Sequence, residues 1–270
     1  MKKNLVISLL IILFLFGCVP ANRPARTTNT VAPTQITVLA AASLTESFTE
    51  IGKRFEEANS GVTVVFNFAG TQELFQQIEQ GIPADVFASA NAKYMNDSVS
   101  AGYVDEAGRV IFAKNALTVI HPNANPGELK ILADLSKPGL KIVIAAKEVP
   151  VGKYTNEFLD NTSQDTTLPE NFKENFLANV VSYENNVKGV VSKVVLGEAD
   201  AGIVYFTDVT GDALTELGMI EIPSDLNVIA SYPIATLKSS QNVAFAQAFV
   251  DYVLSDVGQG ILKNYGFINP

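Results

Sequence analysis

Short apolar runs alternate with longer amphipathic stretches along most of this chain. Residues 36–42, Ile-Thr-Val-Leu-Ala-Ala-Ala, have the length of a buried strand, and beyond Ser43 the apolar residues Leu44, Phe48, Ile51 and Phe55 recur at helical spacing. Residues 62–66 predict a second strand, followed by a helix with Leu74, Phe75 and Ile78 on its apolar face, which Gly81 and Pro83 stop. Residues 84–89 predict a third strand and 92–99 a third helix. Further strands are expected at 110–112, 116–120, 140–145 and 201–205. Helices are expected at 154–159 and, capped by Asn185 or Asn186, along Val187, Val190, Val191, Val194 and Val195 to Gly197. Residues 229–237 read as extended with an interruption at Pro233, and residues 242–264 as one helix with Phe245, Phe249, Tyr252 and Val253 on one side. Strands alternating with helices define the fold class as α/β.

The helix starts hold the candidate chemistry. Ser43 and Glu46 have capping-box spacing, so the plain expectation for Ser43 is a helix cap. The same serine, reached through small residues, also leaves room for an anion to approach the free N–H groups and positive dipole end of a helix. Similar corners recur at Gly70-Thr71, Pro150-Val151-Gly152 and Asn186-Val187. No corner residue is Lys, Arg or His, although Lys153 and Lys188 lie just beyond two of them. If these corners converge, they form an anion site from neutral donors.

The two ends of the composition narrow the classes. Lys2 and Lys3 precede an apolar run over residues 5–16, too short to span a bilayer well, and Leu-Phe-Gly-Cys at 15–18 follows. Residues 1–17 therefore read as a signal peptide ending in a pattern that resembles the lipobox of bacterial lipoproteins, which implies cleavage before Cys18 and a lipid on its thiol. Cys18 is the only cysteine, so no intramolecular disulfide forms. Residues 18–35 hold Pro20, Pro24 and Pro33 without periodicity and read as a tether that holds the globular part off a membrane. Without Lys2 and Lys3, 17 basic residues face 28 acidic ones, a formal charge of −11. That balance argues against nucleic acid as a partner, and it means that an anion must be held by local donors rather than by the field of the whole chain.

In their order and spacing, several segments resemble the molybdate-binding proteins of bacterial ABC transporters. They are residues 36–44, Phe-Ala-Gly-Thr at 68–71, Gln-Ile-Glu-Gln-Gly-Ile-Pro-Ala-Asp at 77–85, Val-Pro-Val-Gly at 149–152, Asn-Val-Lys-Gly at 186–189, Gly-Ile-Val-Tyr at 202–205 and Tyr-Gly-Phe at 265–267. The resemblance covers essentially all of 36–270. It implies a two-lobed periplasmic-binding-protein type II fold with two crossover strands, expected near 113–120 and 228–234. Lobe I would comprise 36–113 and 230–270, and lobe II 114–229. Ser43 and Thr71 would bind from lobe I, Val151 and Val187 would donate backbone N–H groups from lobe II, and Tyr205 would offer its hydroxyl. The implied ligand is molybdate or tungstate, with no cofactor and no metal-coordinating side chain. The implied partner is the membrane permease of an ABC transporter, and the implied state is a lipid-anchored monomer on the outer face of the cell membrane or in the periplasm. Thr71 stands where the family often has Ser, and Val151 where Ala is common.

Two other functions compete with this one. One is a binding protein for another tetrahedral oxyanion such as sulfate. The other is a secreted serine hydrolase, but Ser43 lies in Ala-Ala-Ser-Leu-Thr, not in a Gly-x-Ser-x-Gly elbow, and Lys53 points away by helical phase. His121, alone in the chain, is expected to be structural or at the surface. Asp85 is expected to accept a backbone N–H, Asp200 and Asp208 to be solvated, and Glu56 with Glu57 to form a charged helix face.

Overall fold

The computed structural model describes residues 34–210 and 213–270. The expected signal peptide, Cys18 and nearly all of the expected tether lie outside the described residues. Strand β1 (Thr34–Ala41) takes the last two residues expected in the tether: Thr34 and Gln35 pair with Val62 and Thr63, and the Thr34 N–H donates to Gly61 O. Their polar side chains gave no strand signal, but their backbone groups are satisfied by the ladder.

A single 3₁₀ turn joins β1 to helix α1 (Thr45–Ala58). Then follow β2 (Val62–Ala69), α2 (Thr71–Glu79), β3 (Val86–Ala88) and α3 (Ala92–Ser100). These three strands run parallel in the order β2–β1–β3. The chain leaves this half along β4 (Val110–Pro122), one strand where two short ones were expected. The second half contains β5 (Ile142–Ala145), α4 (Pro150–Asn161), α5 (Phe172–Ala178), β6 (Val180–Glu184), α6 (Val187–Val195) and β7 (Ala201–Tyr205). Here β6, β5 and β7 are again parallel neighbours. After α7 (Ala213–Glu216) and β8 (Leu217–Glu221), β9 (Ile229–Thr236) returns to the first half, and α8 (Val243–Leu254) and α9 (Asp256–Asn264) close it.

Strands β4 and β9 are the crossovers. Residues 110–116 of β4 pair with β9, while its far end pairs with β7 and β8. β9 in turn pairs with β3. Pro233 does not interrupt β9 as expected. It sits opposite Ile111 where the β4 register shifts before Ala113, so its missing N–H falls at a bulge. The extra residue, Phe112, is fully buried and packs against Phe48 at 5.5 Å and edge-on to Tyr232.

The helix expected at 242–264 is two helices. Ser255 breaks it with an extended backbone and caps α9 by accepting the Gly258 N–H. A side chain at Gly258 would lie 2.3 Å from Tyr252 O, so the sharp corner needs glycine there. The short strands β6 and β8 fall in stretches to which the sequence assigned no element.

Candidate functional site

In each half, the parallel strands end at the same place, and the chain turns there into a helix. Ligands of open α/β sheets sit outside such carboxyl ends. β1 ends at Ala41 before Ser43, β2 at Ala69 before Gly70 and Thr71, and β3 just before Ala90. From the other half, β5 leads to Val149, Pro150 and Val151, β6 to Asn186 and Val187, and β7 ends on Tyr205. All of these residues line one narrow cleft with space for little more than a water-sized sphere, so it suits a ligand of a few heavy atoms rather than a drug-sized one.

The five predicted site residues, Ser43, Thr71, Val151, Val187 and Tyr205, therefore meet in one place, and all are buried. Ser43 is not the cap of α1. It lies inside the 3₁₀ turn, no side chain caps the helix, and Ser43 Oγ shares a 2.9 Å hydrogen bond with Tyr232 OH. Glu46, the other half of the expected capping box, reaches Lys188 instead. Thr71 is the first residue of α2. Its Oγ1 accepts the Ala90 N–H at 3.1 Å, which leaves its own proton to give. Val151 and Val187 lie in the first turns of α4 and α6, where N–H groups have no acceptor within the helix. Asn186 caps α6 by accepting the Gly189 N–H at 3.0 Å. Pro150, at the start of α4, has no N–H to leave unpaired. A Cβ on Gly152 would lie 2.0 Å from Ala146 O, so only glycine lets this helix start close to β5.

Tyr205 brings a buried hydroxyl to the cleft. Its side chain is 1% exposed, and its hydroxyl has no hydrogen-bond partner. Burial holds the phenol well above its ordinary pKa, so it remains a donor. Burial also pushes the neighbouring Tyr154 up to about 12.

Among the described residues, no charged side chain lines the cleft. Lys188, directly after Val187, is held by Glu46 at 2.8 Å and Asp208 at 3.3 Å. Burial pushes Lys188 down, but Asp208 and Glu46 outweigh it and hold it above its ordinary value. Asp208 is not solvated as expected. It is 2% exposed, and its Oδ2 accepts the Tyr205 N–H at 3.1 Å. Burial pushes its carboxyl up to about 6, against the pull of Lys188 and that N–H. Asp85 accepts the Thr37 N–H at 2.7 Å, in line with the sequence, and Asp200 accepts the Lys141 N–H. Glu56 does more than face solvent, since its Oε1 accepts the Val64 N–H at 2.7 Å. His121 packs half-buried over Gly218, and among the described residues no cluster of ligating side chains could hold a metal.

Three contacts tie the halves together around the cleft. Lys188 of α6 donates to Glu46 of α1, Gln72 Nε2 of α2 donates to Asn185 O at 2.7 Å, and Tyr94 OH of α3 donates to Glu148 O at 2.8 Å.

The model of one protein family, bacterial extracellular solute-binding proteins, matches residues 36–268. The chain belongs to that family. The molybdate-binding protein ModA of Mycobacterium tuberculosis is 37% identical over 270 residues, covering 98% of this chain and 97% of its own. The periplasmic molybdate-binding protein of Azotobacter vinelandii superposes with a TM-score of 0.76 at 21% identity, over 87% of this chain and 99% of that one. The sulfate-binding protein SubI of M. tuberculosis gives the same TM-score at 19% identity, over 87% of each chain. These two likenesses establish the fold, the two-lobed α/β architecture of periplasmic binding proteins. Family members bind and deliver solutes outside the cytoplasm; they are not enzymes.

Sequence reasoning missed the residues behind the site. Tyr232 touches Ser43 across 189 positions of chain and Asn115 across 117, and no local pattern marks either Tyr232 or Asn115. Gln72, directly after the Gly70-Thr71 corner, was within reach of the same reading.

Proposed function

We propose that this protein captures molybdate or tungstate outside the cytoplasm and delivers it to the permease of an ABC transporter. The observation that carries this reading is the cleft itself. It is small, uncharged and lined by groups that give protons: the hydroxyls of Ser43, Thr71 and Tyr205 and the N–H groups of Val151 and Val187. A hydrogen bond to a charged group contributes about 1.5–3 kcal/mol, so five of them offset much of the cost of drying a small dianion. Each helix start adds roughly half a positive charge of dipole. A fully deprotonated tetrahedral dianion needs only donors, whereas a protonated phosphate leaves an O–H unpaired. The relatives named for molybdate support this choice of anion. Sulfate is the competing ligand; it is smaller and cannot reach every donor at once.

The ligand takes donors from both halves, so it stabilises the closed form. The moving bodies are residues 36–113 with 230–270, and 114–229, with β4 and β9 as the hinge. The mature chain acts as a monomer, held to the membrane by lipid on Cys18. Isothermal titration with molybdate, tungstate, sulfate and phosphate is the test. Tight molybdate and tungstate binding, weaker sulfate and negligible phosphate are expected; absence of molybdate binding, or tight phosphate binding, sinks the reading. For the anchor, Cys18→Ala is expected to move the protein from the detergent to the aqueous phase, and unchanged partitioning rules the lipid out.

A further inference from the structure

We infer that Tyr232 fixes Ser43 as a hydrogen-bond donor, and that this makes the pocket discriminate against oxyanions that carry a proton. The inference rests on the oxyanion reading above. It starts at Asn115, fully buried on β4. The Asn115 side-chain nitrogen can only donate, and it donates to Thr207 Oγ1 at 2.7 Å and to Tyr232 OH at 3.3 Å. The oxygen of the Asn115 amide is occupied by the Ala116 N–H at 3.0 Å. Among the described residues, the other partner of Tyr232 OH is Ser43 Oγ, at 2.9 Å.

These bonds set a direction. Were Ser43 to donate to Tyr232, the phenol proton would be left to the neighbouring Tyr205 hydroxyl, with which it forms no well-aligned hydrogen bond, in a place closed to water, since Tyr232 is 0% exposed. The chain therefore runs from Asn115 to Tyr232 to Ser43, and the Ser43 proton is left for the cleft. Burial keeps the Tyr232 phenol well above its ordinary pKa, so it always has the proton to give. The ring cannot swing away. It stands edge-on to Phe112, Tyr205 and Phe267, and its backbone is paired with Ala113 in the β4–β9 ladder. An anion bearing an O–H needs an acceptor; Ser43 keeps one lone pair after taking the Tyr232 proton, but using it turns the Ser43 proton away from the anion, so a donor is lost. Tyr232 is thus a positioning residue that acts through Ser43 and sets specificity.

The test is Tyr232→Phe, which keeps the ring packing and removes the hydroxyl. Molybdate and phosphate affinities are measured by titration at pH 8, where phosphate is chiefly the singly protonated dianion. Molybdate is expected to weaken about 5- to 20-fold while phosphate holds or tightens, so their affinity ratio falls at least 5-fold. In a Ser43→Ala background the same substitution is expected to leave the ratio unchanged. An unchanged ratio in Tyr232→Phe, with both anions weakened alike or neither weakened, overturns the inference, as does an equal fall in the Ser43→Ala background. If Tyr232→Phe does not fold, Asn115→Asp puts an acceptor behind Tyr232 and draws its proton from Ser43. The ratio is again expected to fall, and an unchanged ratio overturns the inference. A wild-type protein that fails to bind molybdate refutes the pocket reading itself, a result distinct from wild-type binding with an unchanged ratio in the variants.

Discussion

The Tyr205 hydroxyl is buried and makes no hydrogen bond within the protein, and a buried polar group left unpaired costs about 1–3 kcal/mol. Removing it separates binding from stability. Tyr205→Phe is expected to weaken molybdate about 10- to 100-fold while leaving the melting temperature of the ligand-free protein unchanged or higher. A lower melting temperature with normal affinity would assign that hydroxyl a structural role instead. Asp208, which accepts the Tyr205 N–H, makes a pH prediction. Its carboxyl titrates near 6 in the folded chain against an ordinary 3.8, because burial disfavours its charge more than Lys188 restores it. The folded state therefore binds a proton that the unfolded chain has lost between about pH 4 and 6, and stability from this group falls as pH rises through that window. Glu46 and Lys188 are the charged groups facing it, and Lys188, held above its ordinary value, stays charged throughout. Asp208→Asn is expected to gain stability relative to wild type from pH 4 to pH 7, by at most about 3 kcal/mol. Denaturant melts across that range check it, and parallel wild-type and variant curves would refute it.

Helix starts are the working parts at the next scale. α2, α4 and α6 each bring unpaired N–H groups to the cleft by ending a parallel strand and turning at once into a helix. Close approach matters at two of these corners. Gly152 lets α4 begin against the carbonyls that follow β5. Gly70 faces the opposite half, and a Cβ there would lie 2.4 Å from Asn185 O. Gly70→Ala is therefore expected to hold the cleft open without disturbing either half. Molybdate affinity should drop at least 10-fold, with the ligand-free melting temperature within a few degrees of wild type. Wild-type affinity in this variant would show that the corner tolerates the extra carbon and that contact with Asn185 is not needed for closure.

For the whole molecule the question is what holds the two halves together. The charged link, Glu46 to Lys188, is partly exposed, and such pairs contribute roughly 0–1 kcal/mol. Glu46→Gln leaves Lys188 beside Asp208, so no buried charge is stranded. Molybdate release is expected to speed up by as much as about 5-fold in stopped-flow measurements, with little change in the association rate, because the link forms only after closure. An unchanged release rate would leave closure to the ligand and to the Gln72 and Tyr94 bonds alone.

The pattern of apolar residues in 36–99 was enough to place the first three strands and helices, the helices by their apolar faces and the strands by short buried runs. The corners at Ser43, Thr71, Val151 and Val187 were legible too, because a helix start needs small or capping residues whatever the fold. What those residues do was not. Ser43 and Glu46 have the spacing of a capping box, yet Ser43 is taken by Tyr232 and Glu46 by Lys188, partners 189 and 142 positions away. Asp208 looked solvated beside a short strand, and only its neighbours from α1 and α6 make it a buried carboxylate at the back of the site. Pro233 looked like a break in an extended run until β4 supplied the bulge opposite it. Local pattern reports which face of an element is apolar and where its backbone groups go unpaired. It carries no information about which distant side chain arrives to pair with them, and in this protein those arrivals decide which hydroxyls are spent on the fold and which remain free to hold an anion.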